Sequence, residues 1–255
     1  MSAILGQVID DLAAAHRSLL VVNDDGDDGR LAAVLDYFEV VEPERVTAPE
    51  LPASTLVVTD GQQCLSAASV DDVHDYLFGY WDAERGTDDI PSDLATRVQG
   101  FLTALDGWVY TVEEAGKVPM IRISRHIEQR AHTRGSGSIH AGLQRLSRLD
   151  NERHTLDVYR RLAAAGVETH LYGVDDGRPP TVDGMTVHAD PDGSVVGDYW
   201  FVVDDGDGDP AAGGALLTRE VDPGVFEGFW TFQAEHVADI LDRLESGVRP
   251  QLEAV

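Results

Sequence analysis

Arginine side chains that could hold an anion are concentrated in one stretch of an otherwise acidic chain. Residues 117–161 carry ten basic groups and four carboxylates, a local charge of +6, whereas the other 210 residues sum to −33. The basic groups are Lys117, Arg122, Arg125, Arg130, Arg134, Arg145, Arg148, Arg153, Arg160 and Arg161. Guanidinium groups pair with carboxylates or bind anionic ligands in bidentate geometry. The stretch therefore indicates either intramolecular ion pairs or an anion site.

The spacing of these residues defines the candidate ligand-binding set. In a helix over residues 119–133, Arg122 and Arg125 share one face, and Glu128 follows Arg125 at three residues. A strand predicted over residues 139–149 would bring further polar groups close to that helix. The full set is Arg122, Arg125, Glu128, His140, Gln144, Arg145 and Arg148. In the structural alternative, Glu128, Asp150 and Glu152 neutralise these arginines within the fold.

Two acidic glycine-containing runs do not match a known metal loop. An EF-hand loop requires ligands at alternating positions, a Glu at the twelfth and flanking helices. The run Asp204–Asp209 has Ala215 at the twelfth position and predicted strands on both sides. The run 23–28 fails in the same way. Acidic turns are therefore expected, and neither a metal ion nor a cofactor is predicted.

No catalytic motif is present in the sequence. The segment Gly135–Ser138 lacks the Lys of a phosphate-binding loop, follows a predicted helix and is expected to be a tight turn. There is neither a His-Glu-x-x-His motif nor a Gly-x-Ser-x-Gly elbow. The histidines of the central region are predicted to be structural; they are His126, His132, His140, His154, His170 and His188. The sequence thus predicts no catalytic residues and a protein that is not an enzyme.

The composition indicates adaptation to concentrated salt. The net charge is −27, and Lys117 is the only lysine beside 18 arginines. In molar salt, repulsion among so many carboxylates is screened. We therefore expect a halophilic, archaeal protein. The acidity argues against nucleic-acid binding, which requires a basic surface.

The cysteine content and hydropathy predict a cytoplasmic protein. Cys64 is the only cysteine, which rules out an intramolecular disulfide, and it is expected to be buried. No stretch approaches the roughly 18 apolar residues of a membrane span, so no membrane association is expected. The first six residues lack the basic region of a signal peptide.

The periodicity of apolar residues predicts an α/β fold in two parts. Residues 1–80 alternate helices and short strands and form a small α/β N-terminal unit, with Ser69 as the N-cap of its last helix. Residues 81–100 form a largely polar connection. Residues 101–246 form a mixed β-sheet flanked by helices. Within them, a helix over residues 152–165 ends at Gly166 and is followed by an apolar strand, a pattern typical of βαβ units.

Several blocks of this second part resemble the DICT sensory domain family. They are Ser124–Glu128, Ser138–Arg148, Val158–Ala163, Gly166–Gly173, Tyr199–Asp204 and Gly228–Thr231. The resemblance covers roughly residues 100–245. It implies signal input without chemistry of its own, and it defines no ligand, so it assigns no binding residues.

The function expected from the sequence is that of a non-catalytic sensory protein in signal transduction. It would bind an unidentified ligand, with a small anion as one candidate, or an unknown protein partner of a signalling pathway. The chain carries no output domain, so we expect it to act through that partner or as a homodimer. The alternative is an enzyme that acts on a small phosphorylated or acidic metabolite and uses the arginine cluster as an anion clamp.

Overall fold

The computed structural model describes most of the chain. The described residues are 3–13, 18–24, 29–38, 43–59, 62–79, 81–82, 87–88, 91–105, 110–113, 118–151, 153–177 and 183–254. The predicted α/β class is confirmed, because two mixed sheets are flanked by helices. None of the described helices is long and apolar enough to cross a membrane.

The N-terminal residues form a four-stranded sheet with three helices. The strands are β1 (Ser18–Val22), β2 (Glu44–Val46), β3 (Thr55–Thr59) and β4 (Cys64–Ser69), and the helices are α1 (Ala3–Ala13), α2 (Gly29–Tyr37) and α3 (Val70–His74). The strand order is β2-β1-β3-β4, and only β1 and β2 are parallel. Ser69 is the predicted N-cap, since its hydroxyl accepts a hydrogen bond from the backbone N–H of Asp72 at 3.0 Å. A π-helical turn (Asp75–Gly79) continues α3.

The stretch predicted as a polar connection contains regular structure. A short antiparallel pair is formed by β5 (Trp81–Asp82) and β6 (Thr87–Asp88). The helix α4 (Ser92–Ala104) follows and packs against β4. The central part of this stretch, residues 83–86, lies outside the described residues.

The larger sheet has eight strands. They are β7 (Tyr110–Glu113), β8 (Ser138–Arg145), β9 (Glu168–Val174), β10 (Met185–Asp190), β11 (Tyr199–Asp204), β12 (Gly214–Asp222), β13 (Val225–Thr231) and β14 (Glu253–Ala254). Their order is β14-β10-β9-β8-β11-β12-β13-β7. The three adjacent strands β8, β9 and β10 are parallel, and the remaining neighbours are antiparallel. The parallel segment therefore lies off-centre, on the side of the sheet that ends at β14.

The connection from β8 to β9 is the predicted βαβ unit. It passes through α6 (Arg148–Asn151) and α7 (Arg153–Ala165), and Gly166 ends α7 in a left-handed conformation with φ 101°. The N–H of Gly166 donates to the carbonyl of Ala163, and the N–H of Val167 donates to that of Leu162. These bonds satisfy carbonyls at the helix end, which is why a glycine is suited to this position.

The two faces of the large sheet bury different elements. On one face, Ile139 and Ala141 pack with α5 (Val118–Arg134) and α7, in a cluster that extends into the N-terminal sheet. On the other face, Tyr172 and Phe201 pack with α1 and α8 (Ala234–Asp242). A π-helical turn (Arg243–Val248) and a 3₁₀ turn (Arg249–Gln251) continue α8 to β14. Both faces thus include N-terminal residues, while the predicted division at residues 80 and 101 stays a prediction.

Two predictions about local structure are wrong. The strand predicted over residues 139–149 ends at Arg145, because the β8–β9 register shifts between Gly142 and Arg145 and Gln144 adopts a positive φ of 60°. Cys64, expected to be buried, is exposed. It begins β4, whose outer edge faces no other described strand, so the strand does not bury it.

Candidate functional site

Arg122 is part of the structural core. Its side chain is 1% exposed, and its Nη1 donates a hydrogen bond to the backbone carbonyl of Tyr76 at 2.6 Å. Tyr76 belongs to the π-helical turn after α3, so this guanidinium connects α5 to the N-terminal elements. A backbone carbonyl can in this way accept a hydrogen bond from a buried cation.

Arg125 and Glu128 form an internal ion pair on α5. Nη1 of Arg125 donates to Oε2 of Glu128 at 2.7 Å, and the hydroxyl of Tyr159 donates to Oε1 at 3.0 Å. The Glu128 side chain is only 3% exposed. Both carboxylate oxygens therefore have partners within the fold, as the structural alternative predicts.

The remaining members of the predicted set lie apart from this pair. Arg145 is 64% exposed and lies 3.8 Å from Asp176, while Arg148 begins α6. Nε2 of Gln144 donates to Glu220 at 2.6 Å. His140 is on the opposite face of the sheet from Arg125, because it alternates with Ile139 and Ala141, which pack against α5. The structure does not bring these seven residues to one site.

His140 instead belongs to a group of four buried rings on the parallel strands. The register pairs His140 with His170 across β8 and β9, and Tyr172 with His188 across β9 and β10. The rings of His140 and His170 stack with centroids 4.7 Å apart, and those of Tyr172 and His188 stack at 4.5 Å. We call His140, His170, Tyr172 and His188 the histidine row. All four side chains lie on one face of the sheet. They occupy paired or alternate positions on neighbouring strands, and side chains at such positions point to the same side.

Two hydrogen-bonded chains run through the histidine row. In the first, Nε2 of His170 lies 3.0 Å from Glu168 Oε1, and its Nδ1 lies 3.1 Å from His188 Nε2. In the second, the hydroxyl of Tyr172 lies 2.9 Å from Nδ1 of His140. An ionised Glu168 can only accept, so His170 then carries its proton on Nε2 and accepts one from His188. In that arrangement His188 keeps its second nitrogen, Nδ1, as a lone pair.

Ser138 and Asp205 extend the second chain. The hydroxyl of Ser138 donates to Asp205 Oδ2 at 2.8 Å and lies 3.4 Å from Nε2 of His140. Asp205 lies in the acidic connection between β11 and β12, which turns as expected from its composition. Its Oδ1 also accepts from the backbone N–H groups of Ser138 and Asp207, at 2.9 and 2.8 Å. This turn therefore anchors the start of β8 beside the histidine row.

Burial keeps the histidine row uncharged at neutral pH. Burial, with the positive charge of Arg249 among the further causes, lowers the pKa of His140 to about 3 and that of His188 to about 4. Burial and Arg249 also lower the pKa of His170, while Glu168 opposes this change. Burial raises the pKa of Tyr172, so its hydroxyl stays protonated. A group of neutral imidazoles beside a protonated phenol can accept a proton at one ring and donate one at another, so the net charge of the group does not change.

The segment after α8 covers the histidine row. Arg249 approaches all three imidazoles and the hydroxyl of Tyr172 closely enough to affect their pKa values. Nη2 of Arg249 lies 3.5 Å from Glu245, but Nε and Nη2 are buried without a hydrogen-bond partner. The side chains of Arg249 and Glu245 are 32% and 54% exposed. The row is thus separated from solvent by partly exposed charged groups rather than by an apolar layer.

The stacked geometry does not form a metal site. Rings that lie face to face direct their nitrogens along the stack edges, and so the nitrogens do not converge on one point. Within the described residues, no three His, Cys, Asp or Glu side chains are grouped so that they could hold a metal ion.

Comparison with solved structures finds distant likenesses. No family model matches the chain, and no curated protein matches it. The crystal structure of a polyphosphate kinase from Porphyromonas gingivalis is similar over 95% of this chain, with a TM-score of 0.37 and 10% sequence identity. The chain spans 47% of that protein's length. The resemblance to the DICT family stays a prediction, as do the halophilic habitat and the protein partner.

The predicted function requires correction. The predicted non-catalytic sensory protein is not what the comparison returns: the similar structure is that of an enzyme. The likeness is too distant to transfer that enzyme's reaction to this chain. Arg122 and Arg125, two members of the anion clamp in the alternative prediction, are held by partners inside the fold. The prediction that the chain is not an enzyme stays a prediction.

Proposed function

We propose that this protein is an acid–base enzyme whose reacting groups are in the histidine row, with His188 as the proton acceptor and Tyr172 as the proton donor. The observation that carries the proposal is the stacking of these two rings at 4.5 Å, with their pKa values displaced in opposite directions. Environments that move the pKa values of neighbouring groups apart are typical of acid–base pairs.

The chain Glu168–His170–His188 supports the role of His188 as a base. When Nδ1 of His188 takes a proton from a substrate, Nε2 can pass its own proton to His170, and Nε2 of His170 can pass one to Glu168. The Glu168 side chain is 72% exposed, so the proton can leave to solvent. The order of hydrogen bonds along this chain is the order that such a transfer needs.

The pair Tyr172 and His140 supports the role of the acid. If the Ser138 hydroxyl turns from Asp205 to Nε2 of His140, 3.4 Å away, the imidazole proton is on Nδ1. His140 then donates to the oxygen of Tyr172 at 2.9 Å, which leaves the phenol proton for a substrate. After that proton is transferred, His140 can return one to the phenolate. His170 and His188 keep 6% and 5% of their surface exposed, whereas His140 keeps none. A substrate therefore approaches at the His170 and His188 end of the row.

Chemical modification tests whether the row is accessible and nucleophilic. Diethyl pyrocarbonate acylates neutral imidazole nitrogens. An ordinary histidine has a pKa of about 6.5, so at pH 5 it is mostly protonated and reacts poorly. Because burial lowers the pKa of His188 to about 4, we expect it to react at pH 5, as located by mass spectrometry. A protein in which neither His170 nor His188 reacts at pH 5 would not have the proposed site.

Activity measurements test the catalytic roles. On a panel of esters, lactones and carbonyl compounds with acidic C–H bonds, we expect His188→Gln and Tyr172→Phe to lower kcat at least about 100-fold. The matched control is His132→Gln, because His132 is exposed and lies on α5, away from the row. Equal activity of wild type and both row variants, with intact far-UV circular dichroism, would overturn the assignment.

A further inference from the structure

The guanidinium of Arg249 has buried hydrogen-bonding capacity that the fold does not use. Nε and Nη2 are buried and have no hydrogen-bond partner, and the carboxylate of Glu245 lies 3.5 Å from Nη2. A buried donor without an acceptor costs about 1–3 kcal/mol, and more when the group is charged. Folded proteins keep few such groups, and each requires an explanation.

On the side of the sheet, no described neighbour of Arg249 accepts a hydrogen bond from Nε or Nη2. The imidazoles of His140, His170 and His188 already form hydrogen bonds with Tyr172, Glu168 and each other. Tyr172 is also bonded to His140. The charge of Arg249 instead acts on the row unfavourably, since it helps to lower the pKa of all three histidines. A single anion beside Nε and Nη2 would satisfy both donors and offset that charge.

We propose that Arg249 binds a small oxyanion above the histidine row, and that binding increases the affinity of the row for protons. The ligand chemistry is that of phosphate or carboxylate oxygens, which match the parallel Nε–H and Nη2–H donors of one guanidinium edge. The anion is either a free ion or the anionic group of a larger molecule. This inference goes beyond the proposed function, because it requires no turnover.

The coupling between anion and proton follows from electrostatics. Burial is the main cause of the lowered pKa of the row, and the charge of Arg249 adds to it because it disfavours imidazolium. A bound anion offsets the guanidinium charge, so the pKa of His170 and His188 rises toward the ordinary value. By linkage, the anion binds more tightly as the pH falls. The exposed carboxylate of Glu245 must move away from Nη2 as the ligand enters, because two negative groups would otherwise share one guanidinium edge.

Nuclear magnetic resonance of the histidine rings provides a direct test. The full-length protein, labelled with ¹⁵N and held at constant high KCl, is titrated with inorganic phosphate and separately with acetate. We expect one or both anions to shift the ring nitrogens of His170 and His188 saturably and to raise their pKa. Phosphate alone indicates a tetrahedral oxyanion, and acetate as well indicates carboxylate recognition. A further titration with larger organic phosphates compares their affinities with that of inorganic phosphate. This comparison distinguishes a free ion from the anionic group of a larger molecule.

Three variants decide whether Arg249 is the receptor. Arg249→Gln should raise the pKa of the row in the absence of anion and weaken phosphate binding at least about tenfold. Arg249→Lys keeps the charge but loses the paired donors, so it should keep the low pKa and still bind phosphate more weakly. Arg243→Gln is the matched control in the turn that precedes Arg249, because Arg243 pairs with Asp239.

Two outcomes would overturn the inference. The first is the absence of any saturable anion-dependent shift of His170 and His188 in the folded wild-type protein. The second is an equal phosphate affinity in wild type and Arg249→Gln. The proposed enzyme fails separately, on modification and turnover, so a protein that binds phosphate but has unreactive histidines keeps this inference and loses the other.

Discussion

The hydroxyl of Tyr172 and Nδ1 of His140 lie 2.9 Å apart, and both side chains are fully buried. Each residue satisfies the polar group of the other on a sheet face where Tyr172 also packs against apolar side chains such as Phe201. A buried polar pair of this kind is tolerated only while both members are present. The pair thus contributes to the stability of the fold as well as to the candidate site.

Removal of the Tyr172 hydroxyl should destabilise the protein. Tyr172→Phe leaves Nδ1 of His140 buried without its partner, and we expect the free energy of unfolding to fall by about 1–3 kcal/mol. Denaturant titration at constant high salt measures this change.

A double-mutant cycle identifies the cause of that loss. In the double variant His140→Phe/Tyr172→Phe, neither polar group is stranded, so its loss should be smaller than the sum of the two single losses by about 0.5–3 kcal/mol. Strictly additive losses would mean that the two side chains do not interact as described.

Substitution of Arg125 on α5 should lower the stability of the protein far more than substitution of Arg145 on β8. Arg125→Ala leaves the carboxylate of Glu128, which is 3% exposed, without its cation, and we expect a loss of about 3 kcal/mol. Arg145 is 64% exposed, so Arg145→Ala should change stability by less than about 1 kcal/mol. Similar losses in the two variants would contradict the distinction between an internal and a surface arginine.

The elements of the fold could be predicted because their patterns are local. Three local features lie within about 20 residues of one another. They are the apolar spacing of Leu156, Tyr159 and Leu162, the glycine at position 166, and the apolar strand that follows. The helix predicted over residues 152–165 therefore agrees with α7 within one residue at its start, and the predicted strand follows it as β9. The turn at Gln144 could not be predicted, because a positive φ in a non-glycine residue depends on the register shift between β8 and β9.

The candidate site could not be predicted, because it depends on register between distant strands. Nothing local indicates that His140 lies opposite His170, or Tyr172 opposite His188. A shift of one residue would send each side chain to the other face. One sequence feature could have drawn attention to the row: each histidine interrupts a short apolar strand. The arginine cluster was more conspicuous, but its charge is largely used within the fold, as Arg122 and Arg125 show.

The stability of the protein should increase with salt. The net charge of −27 makes self-repulsion large in dilute buffer, and molar salt shortens the screening length to roughly 3 Å. We expect the melting temperature to rise by at least about 10 °C between 0.1 M and 3 M KCl. Melting temperatures that agree at both concentrations would contradict the predicted adaptation to salt.

The predicted division of the chain can be tested with a fragment of residues 96–255. In the full chain, α1 packs Leu5 and Ile9 into the cluster around Phe201, and the rings of Tyr37 and Trp230 stack at 6.2 Å. Because the fragment loses these contacts, we expect weak near-UV circular dichroism and no cooperative melt at 3 M KCl. Addition of residues 1–95 in trans should restore part of the signal. A fragment that melts cooperatively at the temperature of the full chain would support the predicted boundary instead.

Acidification should destabilise the protein in a pH window that belongs to the buried histidines. In the folded protein, burial lowers the pKa of His140 to about 3 and that of His126 and His188 to about 4. In the unfolded chain each of these histidines has the ordinary pKa of about 6.5. Between these limits the unfolded state binds more protons than the folded state. The free energy of unfolding is therefore highest above pH 6.5 and falls as the pH decreases toward 4, by up to about 1.4 kcal/mol per pH unit for each histidine.

Single substitutions assign that pH dependence to individual groups. His188→Gln removes one titrating ring from the row, so its stability should depend less steeply on pH between 6.5 and 4 than that of the wild type. His132→Gln is the control, because His132 is exposed and should leave the slope unchanged. Carboxylates with a lowered pKa, such as Asp72 beside Arg97, lose their contribution only below about pH 4, so they do not act in this window. A wild-type protein whose stability is constant from pH 6.5 to 4 would show that the row is not held neutral by the fold.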